Sequence, residues 1–343
     1  MTENYSKSVY RWLILGLILI SLMVVIGGIT RLTHSGLSMV EWKPITGFLP
    51  PLSEKEWVKE FEKYQFSPEF KYKHSHFELK DFKKIYFWEY LHRLIARFIG
   101  ICFILPFIYF IVKKKISKNL MKALLWIFAF GLFQGFLGWF MVKSGLVDNP
   151  NVSHYRLAAH LLSALFLLSL LFYVSIFYKN GKNEISKASK HSTFFIVFFI
   201  LLITQITYGA FVSGLKAGLF YNTYPKMGDS WIPESFFLAI KEKGLMAFLE
   251  DTTAVQFVHR TIGILFLTFV LISYFYYRKR EIQSLFFKQI QIFLILLLVQ
   301  VLLGIFTIIY RVPIHLASVH QAMAILLVLQ ATYLFYANKK VND

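Results

Sequence analysis

Apolar residues along this chain gather into eight long blocks, at about 9–28, 88–112, 121–142, 154–178, 192–214, 252–277, 286–309 and 315–337. None shows the strict alternation of a half-buried strand. Each reaches the roughly 20 mainly apolar residues that a helix needs to cross the hydrocarbon core. In lipid, backbone groups must find partners within the segment, which makes helices of all eight. The pattern therefore predicts an all-α integral membrane protein with eight transmembrane helices. Between the first two spans lies a long outer segment, 31–87, containing Pro44, Pro50, Pro51 and Pro68. Ser53-x-x-Glu56 reads as a capping box that opens a short amphipathic surface helix, Ser53 to about Tyr64. A second long segment, about 215–251, follows the fifth span. Long ordered loops often cover a site.

Composition agrees with the pattern. Hydrophobic residues make up 57% of the chain and charged residues 16%, against about a quarter charged in soluble domains. The formal charge of +18 would suit nucleic acid, but its placement favours another cause. Lys113, Lys114, Lys115, Lys118 and Lys122 crowd one connection. Lys179, Lys182, Lys187 and Lys190 fill a second, and Arg278, Lys279, Arg280 and Lys288 a third. All three lie on one side of an eight-span chain, while the opposite short loops hold chiefly Lys143 and Arg311. The positive-inside rule then places these loops and both termini in the cytoplasm. Topology and attraction to anionic lipid account for the charge, with no nucleic-acid partner. The first span is too long for a signal-peptide core and no transit-peptide composition precedes it, so a bacterial inner membrane is the expected location. The one cysteine, Cys102, excludes an intrachain disulfide, a CxxCH haem attachment and a cysteine metal site.

Polar residues inside the spans repeat. Spans 2 and 6 carry His92-Arg93 and His259-Arg260 near their outer ends, and spans 4 and 8 carry His160 and His320. Spans 3, 5 and 7 share Gln-x-x-x-Gly, as Gln134/Gly138, Gln205/Gly209 and Gln300/Gly304. This reads as an internal duplication, two pseudo-symmetric four-helix bundles divided at about 185/186. With an even number of spans, both copies share one orientation. The glycines also have a packing reading, since small residues four apart let membrane helices approach, and the glutamines can act as interhelical glue.

Ionisable side chains inside spans are functional candidates. Any single buried histidine is as readily a hydrogen-bonded packing residue; two per half at matching depth are harder to explain that way. A pair of imidazoles is a poor closed zinc site, which wants four ligands. Haem brings four nitrogens of its own and leaves two axial positions, and bundle cores are recurrent cofactor sites. The arrangement predicts up to two haem sites, with copper as the weaker reading. His34, His74, His76, His154, His191 and His315 read as ordinary loop or helix-end residues. Aligned on the histidines, Glu89 falls opposite Gln256, Arg97 opposite Ile264 and Arg156 opposite Leu316. Arg93 and Arg260 alone recur in both copies. Arginine suits a haem propionate through paired hydrogen bonds, although an i,i+4 ion pair with Glu89 would also occupy Arg93. Glu89 shares the face of His92 at i−3, where a carboxylate could take a proton or stabilise positive charge. The first half thus carries reactive equipment, and the second resembles a holder for a permanent cofactor.

At these residues the chain resembles the haem A synthases of bacteria and mitochondria. The likeness spans nearly all of it. The most specific pieces are Gly27-Gly28-Ile29-Thr30-Arg31-Leu32-Thr33, Ser35-Gly36-Leu37-Ser38, Glu41-Trp42-Lys43-Pro44-Ile45-Thr46-Gly47 and Pro50-Pro51-Leu52-Ser53-Glu54-Lys55-Glu56-Trp57. Glu89-Tyr90-Leu91-His92-Arg93, His154-Tyr155-Arg156-Leu157-Ala158-Ala159-His160, Asn222-Thr223-Tyr224-Pro225-Lys226-Met227-Gly228 and Gln256-Phe257-Val258-His259-Arg260 complete it. The resemblance implies oxidation of the C8 methyl of haem O to a formyl group, giving haem A for cytochrome oxidase, with water as oxygen source. It makes Glu89 the essential acid and lets His92 and His160 address the substrate haem. His259 and His320 would bind the iron of a resident haem b, leaving Arg93, Arg97, Arg156 and Arg260 as propionate candidates. Implied partners are haem O, membrane lipid, haem O synthase, an unidentified electron acceptor and further copies of the chain. Some bacterial members carry a cysteine pair in the first outer loop; this chain has none, so no thiol relay is expected. The competing reading is a dihaem b-type electron-transfer protein; a transporter would show broken midplane helices, which are missing here.

Overall fold

A computed structural model describes residues 5–41, 47–146, 150–180, 191–280 and 282–339. Among them eight helices are long and apolar enough to span a bilayer. These are α1 (Lys7–Leu32), α3 (Leu79–Val112), α4 (Lys118–Lys143), α5 (His154–Asn180), α6 (Ser192–Gly214), α9 (Thr252–Arg278), α10 (Leu285–Ile309) and α11 (Ile314–Lys339). Three shorter ones are α2 (Glu54–Gln65), α7 (Glu234–Lys243) and α8 (Ala247–Glu250). No β-strand occurs among the described residues.

The predicted surface helix is α2. Its capping serine accepts from the Glu56 amide at 3.3 Å, and the Glu56 carboxylate reaches back to the Leu52 amide at 2.8 Å. The second span extends further than hydropathy indicated, beginning at Leu79 rather than 88. Lys80, Asp81, Lys83 and Lys84 mask this stretch, but Phe82, Ile85 and Tyr86 recur at helical spacing and are buried. They pack with Tyr64, Trp57 and Phe61 of α2, so the helix continues beyond its apolar block to carry the first long segment. Among the described residues four spans stop on a left-handed residue that is not glycine, Lys216 after α6 being one of them. His34, Lys114 and Arg311 have φ of +54°, +52° and +59°. The next amide in each case returns to the last turn: Ser35 to Thr30 at 2.9 Å, Lys115 to Phe110 at 2.9 Å and Val312 to Thr307 at 2.7 Å.

The chain divides into two compact units, Asn4–Leu171 and a second that begins at Phe172, so the division falls within α5. The boundary expected at 185/186, part of the second basic connection and 42–46 of the first outer segment lie outside the described residues. In the first unit α1 packs on α3. Trp12 Nε1 donates to the Cys102 carbonyl at 2.8 Å, and the Thr30 hydroxyl donates to the Trp88 carbonyl at 3.3 Å. In the second unit α6 packs on α9, α9 on α10 and α10 on α11. Its core is aromatic, with Phe198, Phe266, Phe287 and Phe293 almost sealed.

Candidate functional site

Each of the four span histidines meets a glycine on the adjoining helix. A Cβ placed on Gly27 of α1 would lie 3.1 Å from His92 Nε2, and one on Gly138 of α4 would lie 3.2 Å from His160 Cε1. In the second unit a Cβ on Gly209 of α6 would come within 3.3 Å of His259 Cε1, and one on Gly304 of α10 within 3.0 Å of His320 Cε1. The glycines of Gln-x-x-x-Gly therefore do admit a close approach, and what approaches is an imidazole. Gly27 does the same in the first unit without a glutamine one turn earlier. The rings are half-buried. His92 and His160 belong to the first unit, and His259 and His320 to the second.

Glu89 is 3% exposed, and both of its oxygens are engaged. Oε1 accepts from Arg93 at 2.6 Å; Oε2 accepts from the Ser38 hydroxyl at 2.7 Å and the Met39 amide at 2.8 Å. Arg93 also donates to the carbonyls of Met39 at 3.0 Å and Glu41 at 3.1 Å. The ion pair allowed by i,i+4 spacing is present, and the pair fastens the segment that follows α1.

The second unit repeats the arrangement with reversed hydrogen-bond polarity. Gln256, fully buried, donates to the Tyr221 carbonyl at 3.0 Å. Arg260 donates to the carbonyls of Thr223 and Lys226, with its guanidinium 5.5 Å from the Tyr224 ring centroid. The segment is braced further by Asn222, which donates to the carbonyls of Gly218 at 2.8 Å and Ile308 at 2.9 Å. Arg156 donates to the Phe140 carbonyl at 2.8 Å and covers that ring at 3.8 Å, at the end of α4. Arg97, one turn after Arg93, is half-buried.

Several partners escaped the sequence. Ser38 and Met39 hold Glu89 from fifty residues away, which no local spacing could reveal. Ser163, three residues after His160 and so on its face, gave a readable signal. Its hydroxyl donates to Gln134 Oε1, while Gln134 Nε2 donates to the His160 carbonyl at 2.9 Å and lies 3.1 Å from His160 Nδ1. His34, given no role from sequence, provides the left-handed stop of α1.

A separate polar group stands in the first long segment. Tyr64, wholly buried, donates to Glu69 at 3.2 Å and meets His74 Nδ1 at 2.7 Å. Burial, with the Glu69 charge beside it, pushes the Tyr64 phenol well above its usual range. Lys63 reaches Glu60 at 2.7 Å and Glu41 at 3.0 Å, and the Glu60 hydrogen bond foremost holds its amine above the ordinary value.

Comparison with known proteins decides the family. A family model described as COX15-CtaA, cytochrome oxidase assembly protein, matches residues 10–332. The chain belongs to the COX15-CtaA family. Proteins named heme A synthase are similar to it over nearly their whole length. One from Wolbachia pipientis of Culex pipiens is 43% identical over 323 residues, covering 94% of this chain and 95% of the relative. One from Flavobacterium psychrophilum is 42% identical, covering 98% and 99%. One from Ehrlichia canis is 44% identical, covering 98% and 95%.

Proposed function

We propose that this chain is a haem A synthase, an oxidoreductase that converts the C8 methyl of haem O into a formyl group with oxygen from water. The observation that carries the reading is the pair of imidazole sites in a chain similar end to end to heme A synthases. Conversion of a methyl to a formyl group removes electrons and protons, so an electron acceptor takes part, and haem O synthase is the natural supplier. Both termini face the cytoplasm, in a bacterial inner membrane.

His92 and His160 address the substrate haem in the first half. The second half fits a resident haem b. Nδ1 of His259, Nδ1 of His320 and one terminal nitrogen of Arg260 are buried without hydrogen-bond partners, and each imidazole fills a glycine cradle. His259 and His320 would hold the iron, with Arg260 beside a propionate. When bound, that haem supplies one-electron transfer. Arg93, Arg97 and Arg156 remain the propionate candidates of the first half.

Glu89 stabilises the positive character that develops on the methyl carbon as electrons leave, and it accepts a proton from the attacking water. Its oxygens already face three donors, so proton uptake requires one of them to let go. The test is pigment analysis of membranes that contain the chain and a source of haem O. Haem A is expected, and membranes that hold only haem O and haem b would refute the assignment. Glu89→Gln is expected to lower turnover by about 100-fold or more, with haem content unchanged. Ser38→Ala loosens the same segment while keeping the carboxylate, and so separates chemistry from anchoring. Equal losses in the two variants would leave Glu89 as an anchor alone.

A further inference from the structure

His160 and the histidines of the second half meet opposite hydrogen-bonding groups. Gly209 and Gly304 stand bare against the rings of His259 and His320, and the main chain of Gln205 and Gln300 acts on those rings as an acceptor. Neither Nδ1 completes a hydrogen bond, yet the group facing each ring is an acceptor. A histidine that binds iron through Nε2 carries its proton on Nδ1, and an acceptor there fixes the ring and strengthens it as a ligand.

His160 faces the opposite. Gln134 Nε2 stands 3.1 Å from its Nδ1, and the amide cannot turn round. Nε2 must point at the His160 carbonyl, 2.9 Å away, because a carbonyl requires a donor. The amide oxygen meanwhile receives the Ser163 hydroxyl. An N–H is thereby held against Nδ1, which must act as the acceptor. Iron binding at Nε2 would set one N–H against another and sacrifice this bond. In the second half Met323 stands three residues after His320, where Ser163 follows His160. The amide oxygen of Gln300 is buried without a partner, and Gln300 Nε2 stands 3.4 Å from His320 Nε2 rather than from Nδ1. No hydroxyl there holds the Gln300 amide in place, and no amide N–H is set against Nδ1.

We propose that Gln134 and Ser163 are a positioning pair that keeps His160 a weak, exchangeable iron ligand, so that haem enters and leaves the first half while the second half retains its own. The proposal rests on the reading of the first half as the substrate site. Hydrogen-bonding partners of metal-bound histidines shift affinity by about 10- to 100-fold, enough to separate a passing haem from a permanent one.

The test uses full-length protein in detergent, loaded with ferric haem b as probe, and follows haem transfer to excess apomyoglobin. The wild type should lose haem in two phases, the fast one missing from His160→Ala and the slow one from His320→Ala. Gln134→Glu puts an acceptor against Nδ1 and should slow the fast phase by about tenfold, with the slow phase unchanged. Ser163→Ala removes one of the two contacts that hold the amide, leaving the His160 carbonyl, and should act in the same direction, less strongly; it carries the test if Gln134→Glu does not fold. Met323→Ser should hasten the slow phase. A fast phase within about twofold of wild type in both first-half variants overturns the proposal, and so does a single phase in the wild type. Loss of the fast phase in His320→Ala instead refutes the underlying assignment of substrate and resident sites.

Discussion

At the scale of single residues, four glycines and four imidazoles define the candidate sites. A methyl group on Gly304 would meet His320 Cε1 at 3.0 Å, inside ordinary contact distance, so ring or helix must move. Overpacking of this kind costs about 1–3 kcal/mol. Gly304→Ala should therefore reduce the low-spin haem absorbance of purified protein without removing the protein from the membrane; an unaltered spectrum would mean that the ring does not sit in this cradle when haem is bound. The histidines were legible because His-Arg recurs and each half holds two in its apolar spans, and three of the glycines because Gln-x-x-x-Gly recurs; Gly27 carries no such signal. The amide orientations were not. Gln134 and Gln300 occupy the same place in the same motif, yet one meets Nδ1 of its histidine and the other Nε2, and Ser163 stands where the second half has Met323. The donors to Glu89 were equally hidden, since Ser38 and Met39 lie across a long segment from it.

At the scale of elements, the apolar blocks mark the spans closely, and the capping box marks α2. The N-terminal extension of α3 and the helix α7 were missed for one reason: their buried faces are short, and charged neighbours dilute the hydropathy. Tyr64→Phe removes both polar contacts of the phenol, to Glu69 and His74, and should cost about 1–3 kcal/mol, visible as faster proteolysis of the segment between α1 and α3. Burial of the phenol, with the Glu69 charge beside it, also gives a pH dependence. The folded phenol titrates above its unfolded value, so the stabilisation is complete below the ordinary tyrosine pKa of about 10. It falls as the pH rises beyond that, because the unfolded chain loses the proton first. Cleavage of this segment should accelerate above about pH 10, and the acceleration should be absent in Tyr64→Phe. At the end of α3, Lys114 holds a left-handed conformation at φ +52°. Lys114→Gly relieves about 1 kcal/mol of backbone strain, which should appear as a raised thermal midpoint.

At the scale of the whole molecule, charge placement makes the orientation testable. With Cys102 replaced by serine, single cysteines at 115 and 280 should react with an impermeant maleimide only after the cytoplasmic side is opened. Cysteines at 52 and 229 should react in intact spheroplasts; the reverse pattern would invert the topology. The recurrence of His-Arg and Gln-x-x-x-Gly was readable in the sequence, whereas the contrast between the two units depends on what each side chain meets. One such contrast limits how the units can be recombined. Glu89 receives hydrogen bonds from the segment that it anchors, and Gln256 gives one to its own. A transplant of the second connecting segment into the first unit would confront the Glu89 carboxylate with a carbonyl, unless Gln256 travelled with it. Whatever a carboxylate contributes to turnover, it fixes which segment the first unit can hold.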